Sequence, residues 1–431
     1  MHFSKFIRNL LYTGLLCLLA VSFVSAASAA GAVMEEEWNN TYQYGKYTDF
    51  FTVLQTDCAG YILGGLGVNP GGNNALLLKT DASGAEVWNR SFAGDRVSSV
   101  EITPQGNYVL LTFKEVLEYD NESLGSDAIM IGASADSHII SVDENGTVLF
   151  DTEIPGLRAN SVKVMPDGNY AVTGWTWSDD LTTSSLIGLY DDEGNKILSS
   201  SVSAGAAYDL AVAGDNLYVS GISSLSDSDI GKKFSWFICL DNAGKKIYKR
   251  TYENVSFYSV IPSSEAEEGF LLSGSALIPC TAFSPDGFET RAYAMKTDES
   301  GKEEWSHILQ GYECYGACEL PGNGYILSGL WGDNGMLQML DYSGMSVSTV
   351  IYNKGEEPVQ SRLGAVALTD DGGCISSGWT RMTGNVEGWL VKSDISGGEP
   401  VVPTKPAETP GFTVISVIAA LGMVLAVRRV F

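Results

Sequence analysis

One pattern recurs seven times along this 431-residue chain: an apolar run, then Asp-x-x-Gly. The turns fall at residues 81–84, 143–146, 191–194, 241–244, 298–301, 341–344 and 394–397, behind ALLLKT, HIISV, LIGLY, WFICL, AYAMKT, MLQML and GWLVKS. Asp suits the start of a type I turn, and Gly accepts the left-handed backbone that closes such a hairpin. Four residues after the Gly comes Trp88, Phe150, Leu198, Tyr248 or Trp305. Eight after it comes Phe92, Ile154, Val202, Tyr252, Leu309 or Tyr352. Even spacing places each pair on one face of a strand.

A second element precedes each turn: GYILGG (60–65), NYVLLT (107–112), NYAVTG (169–174), LYVSG (217–221), GFLLSG (269–274), GYILSG (324–329) and GCISSG (373–378). A further short strand lies ahead of it, as in SSVEIT and NSVKVM. Four strands in about 43 to 62 residues, repeated seven times, predict an all-β, seven-bladed β-propeller of four-stranded antiparallel blades over residues 35–396. The seventh copy lacks a fourth strand. Trp38 and Tyr42 are spaced like Trp88 and Phe92, so residues 36–43 are expected to complete the last blade and hide the open edge.

The repeats resemble those of secreted archaeal propeller proteins of the type DGGYILAG…LVKTDASGNEVWNRTFGG. They also resemble the quinoprotein repeat, but the turn is one residue shorter and no two cysteines are adjacent, which speaks against a PQQ cofactor. In the sialidase Asp-box the Gly follows the Asp by two residues, and here by three. No cofactor is expected.

The termini read as addresses. Residues 1–30 form a signal peptide: Lys5 and Arg8, an apolar stretch over 10–24, then small residues. At the other end, 397–410 is a Pro-rich spacer. It leads to Pro410-Gly411-Phe412, a short apolar helix and Arg428-Arg429. Residues 411–431 resemble the PGF-CTERM signal of archaeal surface proteins. That resemblance implies an archaeosortase-type processing enzyme as partner, a membrane or lipid anchor at the C-terminus, and display on the archaeal envelope. A retained transmembrane helix is the alternative. Sequons at Asn39, Asn89, Asn121, Asn145 and Asn254 fit a glycoprotein.

With 52 acidic against 26 basic residues, the net charge of −26 argues against a nucleic-acid partner. Three histidines leave little room for His-based catalysis or metal ligation. No nucleophile motif or P-loop is present, and no Ca²⁺ loop surrounds Asp179, Asp180, Asp227 and Asp229. Six cysteines remain beyond the signal. A Cys58–Cys374 bridge across the closure and a bridge from Cys280 to Cys314 or Cys318 are conceivable, while Cys239 reads as a buried thiol.

Binding is expected on the face with long, variable loops, notably 113–136, 223–235 and 275–290. Lys46, Arg96 and Arg158 precede the innermost strands of blades one to three, with Arg362 close by in blade seven. Tyr208, Tyr258 and Tyr315 take a nearby place in blades four to six. Four cations on one side of a mouth and three tyrosines opposite would suit an anionic ligand with a ring or polymer character. Trp175, Trp177, Trp331 and Trp379 begin loops on the same face. The expectation is a non-catalytic propeller binding an envelope glycan or protein. An extracellular carbohydrate-active hydrolase or lyase using mouth carboxylates is the alternative.

Overall fold

The computed structural model describes residues 32–119, 130–223, 234–263, 268–279, 288–352, 360–381 and 384–396. The signal peptide, the spacer and tail with Pro410, Gly411 and Phe412, and the sequon at Asn121 lie outside them. Among the described residues, twenty-eight strands form seven separate four-stranded sheets, all antiparallel. Blade one runs outward through Tyr47–Gln55, Tyr61–Asn69, Gly72–Thr80 and Glu86–Phe92. The other innermost strands are Arg96–Ile102, Arg158–Val164, Ala206–Ala213, Val255–Ser263, Glu313–Leu320 and Ser361–Leu368. The predicted all-β seven-bladed propeller is what the chain forms.

The ring closes as expected. Val33–Tyr42 pairs antiparallel with Glu387–Ser396, with Thr41 opposite Trp389 and Trp38 opposite Lys392. The N-terminal strand thus becomes the outer strand of blade seven. The seventh Asp-x-x-Gly departs from the other six. Asp394 lies within the strand, opposite Glu35. Val33–Tyr42 already fills the outer place of that blade, and Glu387–Ser396 stays extended through the motif's first three residues.

Hydrophobic burial is divided into seven wedges, one between each pair of neighbouring blades. Successive residues of one strand feed opposite wedges: Ile62 packs toward blade two, Leu63 toward blade seven. Sheets covered on both faces need apolar residues at consecutive positions, which explains runs such as YILGG.

The six formed turns share one construction. The Asp81 carboxylate accepts the backbone N–H of Ser83 and Ala85, both at 2.9 Å. Asp143, Asp191, Asp241, Asp298 and Asp341 each accept the equivalent pair. The closing Gly has φ between 73° and 83° in all six. At four of the six, those of Asp81, Asp143, Asp298 and Asp341, the outer strand of the preceding blade clips onto the turn's carbonyls; at Asp191 and Asp241 Phe150 and Leu198 stand against the closing Gly instead. Trp88 Nε1 donates to Glu144 at 3.1 Å, and Arg90 to Asn145 at 2.9 Å. Tyr248, Arg250 and Tyr252 donate to Glu299, Ser300 and Gly301. Trp305 and His307 reach Tyr342 and Ser343. The motif's role is therefore blade-to-blade fastening.

The long segment 113–136 differs from the expected loop. It is mostly a hairpin extension, with strands Tyr108–Tyr119 and Met130–Val142 paired from Tyr108–Val142 out to Tyr119–Met130. Asp180 is satisfied within its own turn by Ser178 and Thr182, which hold its carboxyl at about 2. Asp227 and Asp229 lie outside the described residues.

Candidate functional site

Every innermost strand carries a bulge at the same register position. A bulge inserts one residue against its partner strand and re-aims the side chain. The bulged residues, blade by blade, are Phe51, Ser98, Asn160, Tyr208, Tyr258, Tyr315 and Gly364, and all seven line one cavity of about 460 Å³ at the mouth. Two residues earlier stand Asp49, Arg96, Arg158, Ala206, Ser256, Glu313 and Arg362. Of these, Arg96, Arg158, Glu313 and Arg362 also line the cavity, with Glu115 and Trp175.

This register revises one placement. The position in blade one equivalent to Arg96 and Arg158 belongs to Asp49, not Lys46. Lys46 is exposed, its backbone N–H bound to Val68, and it does not line the cavity. Lys46 follows Tyr42 by four residues, as Arg96 follows Phe92 and Arg158 follows Ile154, but the connection into blade one is three residues longer, so the matching place falls to Asp49. Three of the four cations, all three tyrosines and Trp175 come together. Trp177 is half-buried beside Trp175, with ring centres 6.0 Å apart. Trp331 packs on the wedge between blades five and six. Trp379 is half-buried opposite Arg362 in the pairing register. None of these three tryptophans lines the cavity.

The mouth is held by a closed circuit of stacked side chains. Trp175 contacts Tyr208 at 5.5 Å, Tyr208 contacts Tyr258 at 5.6 Å, and Tyr258 contacts Tyr315 at 5.9 Å. Arg362 lies over Tyr315 at 5.2 Å and over Phe51 at 5.3 Å. Arg96 lies over Phe51 at 4.5 Å and Phe113 at 4.8 Å. Arg158 lies over Phe113 at 4.3 Å and returns to Trp175 at 4.2 Å. Each guanidinium thus spends its faces on two aromatic rings, a contact worth about 0.5–2 kcal/mol depending on desolvation. Its N–H edges stay available for other partners.

Those edges are used unequally. Arg362 donates to Asp49 at 2.7 Å, and the Asp49 side chain is 4% exposed. Burial pushes the Asp49 carboxyl up, against the pull of Arg362. Arg158 donates to Asn160 at 2.9 Å and faces Glu115 at 3.3 Å. Glu313 accepts from the hydroxyls of Tyr315 and Tyr258. Arg96 has its Nε buried without an acceptor, and no carboxylate of the described residues lies within 4 Å of it. Burial, with Arg158 and Arg362 close by, brings its guanidinium down to about 10. Sequence reasoning missed Phe51, Phe113, Glu115, Glu313 and Asp49. Phe113 and Glu115 lie on a second strand, and only the pairing of Arg96 with Phe113 brings that strand's end to the mouth.

Below the bulges the channel continues. Asp209 of blade four accepts from Ser161 of blade three and from the Val260 N–H of blade five, both at 2.9 Å. Lys163 pairs with Glu101. Among the described residues, no group of three His, Cys, Asp or Glu could hold a metal ion, and no helix is long and apolar enough to cross a membrane. The five described cysteines are unbridged. Cys58 is exposed while Cys374 is buried beside Cys318, so the conceivable closure bridge is not made. Cys239 is the buried thiol expected, and Cys280 lies outside the described residues. Asn145 and Asn254 are exposed. Asn39 and Asn89 hold equivalent places on outer strands, each donating to a Glu three residues earlier at 2.6 Å.

No protein-family model matches the chain, and no curated protein does. Among solved structures, Sqt1 of Chaetomium thermophilum is similar at 14% identity, over 80% of this chain and 85% of that one, with a TM-score of 0.46. A Bacteroides caccae protein of unknown function matches at 16% identity, over 64% and 93%, with a TM-score of 0.39. Apocarotenoid oxygenase of Synechocystis matches at 15%, over 67% and 70%, also at 0.39.

Proposed function

We propose that the chain is a non-catalytic binding propeller displayed on the outside of an archaeal cell, taking an envelope glycan or protein at its mouth. The observation that carries this is the convergence of seven bulged inner strands on one cavity walled by Phe51, Trp175, Tyr208, Tyr258 and Tyr315, with three guanidinium groups between the rings. A rigid scaffold with aromatic anchors and a few fixed polar groups is the usual composition of a recognition site. The mouth carboxylates do not favour the hydrolase or lyase reading: Glu115 is paired with Arg158, and Glu313 is held by tyrosine hydroxyls. Surface display is supported by the N-terminal signal pattern and the PGF-CTERM-like tail, through which an archaeosortase-type enzyme would attach a lipid anchor. The acidity suits an exterior protein kept soluble by its charge.

The test is capture from cell-envelope extract by the immobilised full chain, with glycan and protein analysis of the eluate. A species retained by the wild type and lost with Tyr258→Ala or Arg158→Ala supports the reading. Equal capture by the mouth variants, or none by the wild type, contradicts it.

A further inference from the structure

Resting on the mouth as a glycan site, we infer that its ligand carries an anionic sugar residue, with a carboxylate or sulfate ester against Arg96 and its neutral hydroxyls toward Glu313. The charge layout makes the cavity polar from one side to the other. On the blade two and three side, Glu115 is the one cavity-lining carboxylate facing Arg96 and Arg158, and the buried Asp49 acts on Arg96 as well from outside ion-pair range. Asp49 is ion-paired with Arg362 and does not line the cavity. Arg96 is left as the one mouth guanidinium with no carboxylate of the described residues in ion-pair range. Stacking on Phe51 and Phe113 fixes its plane, so its fork of donors is presented in one orientation. A planar fork matches two oxygens of one anion. On the opposite side Glu313 would repel a second negative group, while its free acceptor capacity and the hydroxyls of Tyr258 and Tyr315 suit sugar hydroxyls. Between them, Tyr208 and Tyr258 supply an apolar wall for the C–H face of a pyranose. The ligand's acidic end therefore points to blade two and its neutral end to blade six.

Titration calorimetry of the intact chain with digalacturonate, galactose 6-sulfate and neutral galactobiose tests this. The expected result is that digalacturonate or the sulfate ester binds at least tenfold tighter than galactobiose. Arg96→Met should abolish that advantage, and Glu115→Gln should strengthen acidic binding severalfold by releasing Arg158. The ratio between the two anionic probes tells carboxylate from sulfate. Should Arg96→Met fail to fold, Glu115→Gln decides, and unchanged or weaker acidic binding overturns the inference. Galactobiose binding as tightly as the acids, and lost in Tyr258→Ala, overturns the anionic preference and leaves the glycan site standing. Binding of no probe, or binding unaffected by Tyr258→Ala, overturns both.

Discussion

The hydroxyl of Tyr42, on the strand that closes blade seven, donates at 2.5 Å to the carbonyl of Gly84 in the turn of blade one. This bond joins the first described strand, Val33–Tyr42, to the first of the Asp-x-x-Gly turns. It is the same fastening that Tyr252 makes to Gly301, so the closure point is built like any other blade boundary. Tyr42→Phe should lower stability by about 1 kcal/mol, the net worth of one buried hydrogen bond. Chemical denaturation with an unchanged m-value checks it. No change would mean that the strand is held by pairing alone.

Removal of residues 1–42 should do far more. It strips the partner from Glu387–Ser396 and leaves a buried edge open. The expected outcome is a chain that elutes as oligomers in size-exclusion chromatography and is cut rapidly by protease within the last blade. A monomeric, resistant product would show that six complete blades suffice.

The fastening turns also predict a contrast between two glycines. Gly84 (φ +76°) and Gly106 (φ +81°) share the left-handed conformation. A Cβ at Gly84 would lie 2.3 Å from the Asn40 side chain and 2.8 Å from Trp38, whereas one at Gly106 meets nothing within 4 Å. Gly106→Ala should therefore cost only the conformational term of about 1–2 kcal/mol. Gly84→Ala should cost more, because it also forces the blade seven strand away. Comparison of melting temperatures checks this, and equal losses would contradict the blade-to-blade contact.

Acid sensitivity follows from the same turns. Hydrogen bonds from Ser83 and Ala85 hold the Asp81 carboxyl below the usual range, and Asp143 and Asp191 are held likewise by their own turns. Asp371 sits at about 2, where Thr369 and Lys392 outweigh its burial. A folded-state pKa below the unfolded value of about 3.9 gives stability that is present above pH 4 and lost as pH falls toward 2. Thermal melts from pH 6 to 2 should fall mainly below pH 4, and Asp371→Asn should lessen that fall. A variant that tracks the wild type would remove Asp371 from the account.

Much of this was legible in the chain, for a physical reason. A strand covered on both faces must be apolar at successive positions, and the left-handed residue that closes a tight hairpin favours Gly, so blade count and closure are written in residue types. Arg96, Arg158, Arg362 and the three tyrosines could be picked out because each lies in the first four residues of an inner strand. The first place in the ring could not, because three extra residues between Tyr42 and the inner strand of blade one bring Asp49 rather than Lys46 to it. Phe113 was hidden for another reason. It is an ordinary core residue of its strand, and its role between Arg96 and Arg158 exists only once two blades meet.

Hydrogen-exchange mass spectrometry of the full chain, with and without the captured envelope ligand, probes the proposed mouth site most directly. The account predicts slowed exchange confined to the inner-strand segments around residues 96–98, 158–160, 206–208, 256–258 and 313–315. Protection along the outer strands or the Asp-x-x-Gly turns, with the inner strands unchanged, would contradict it.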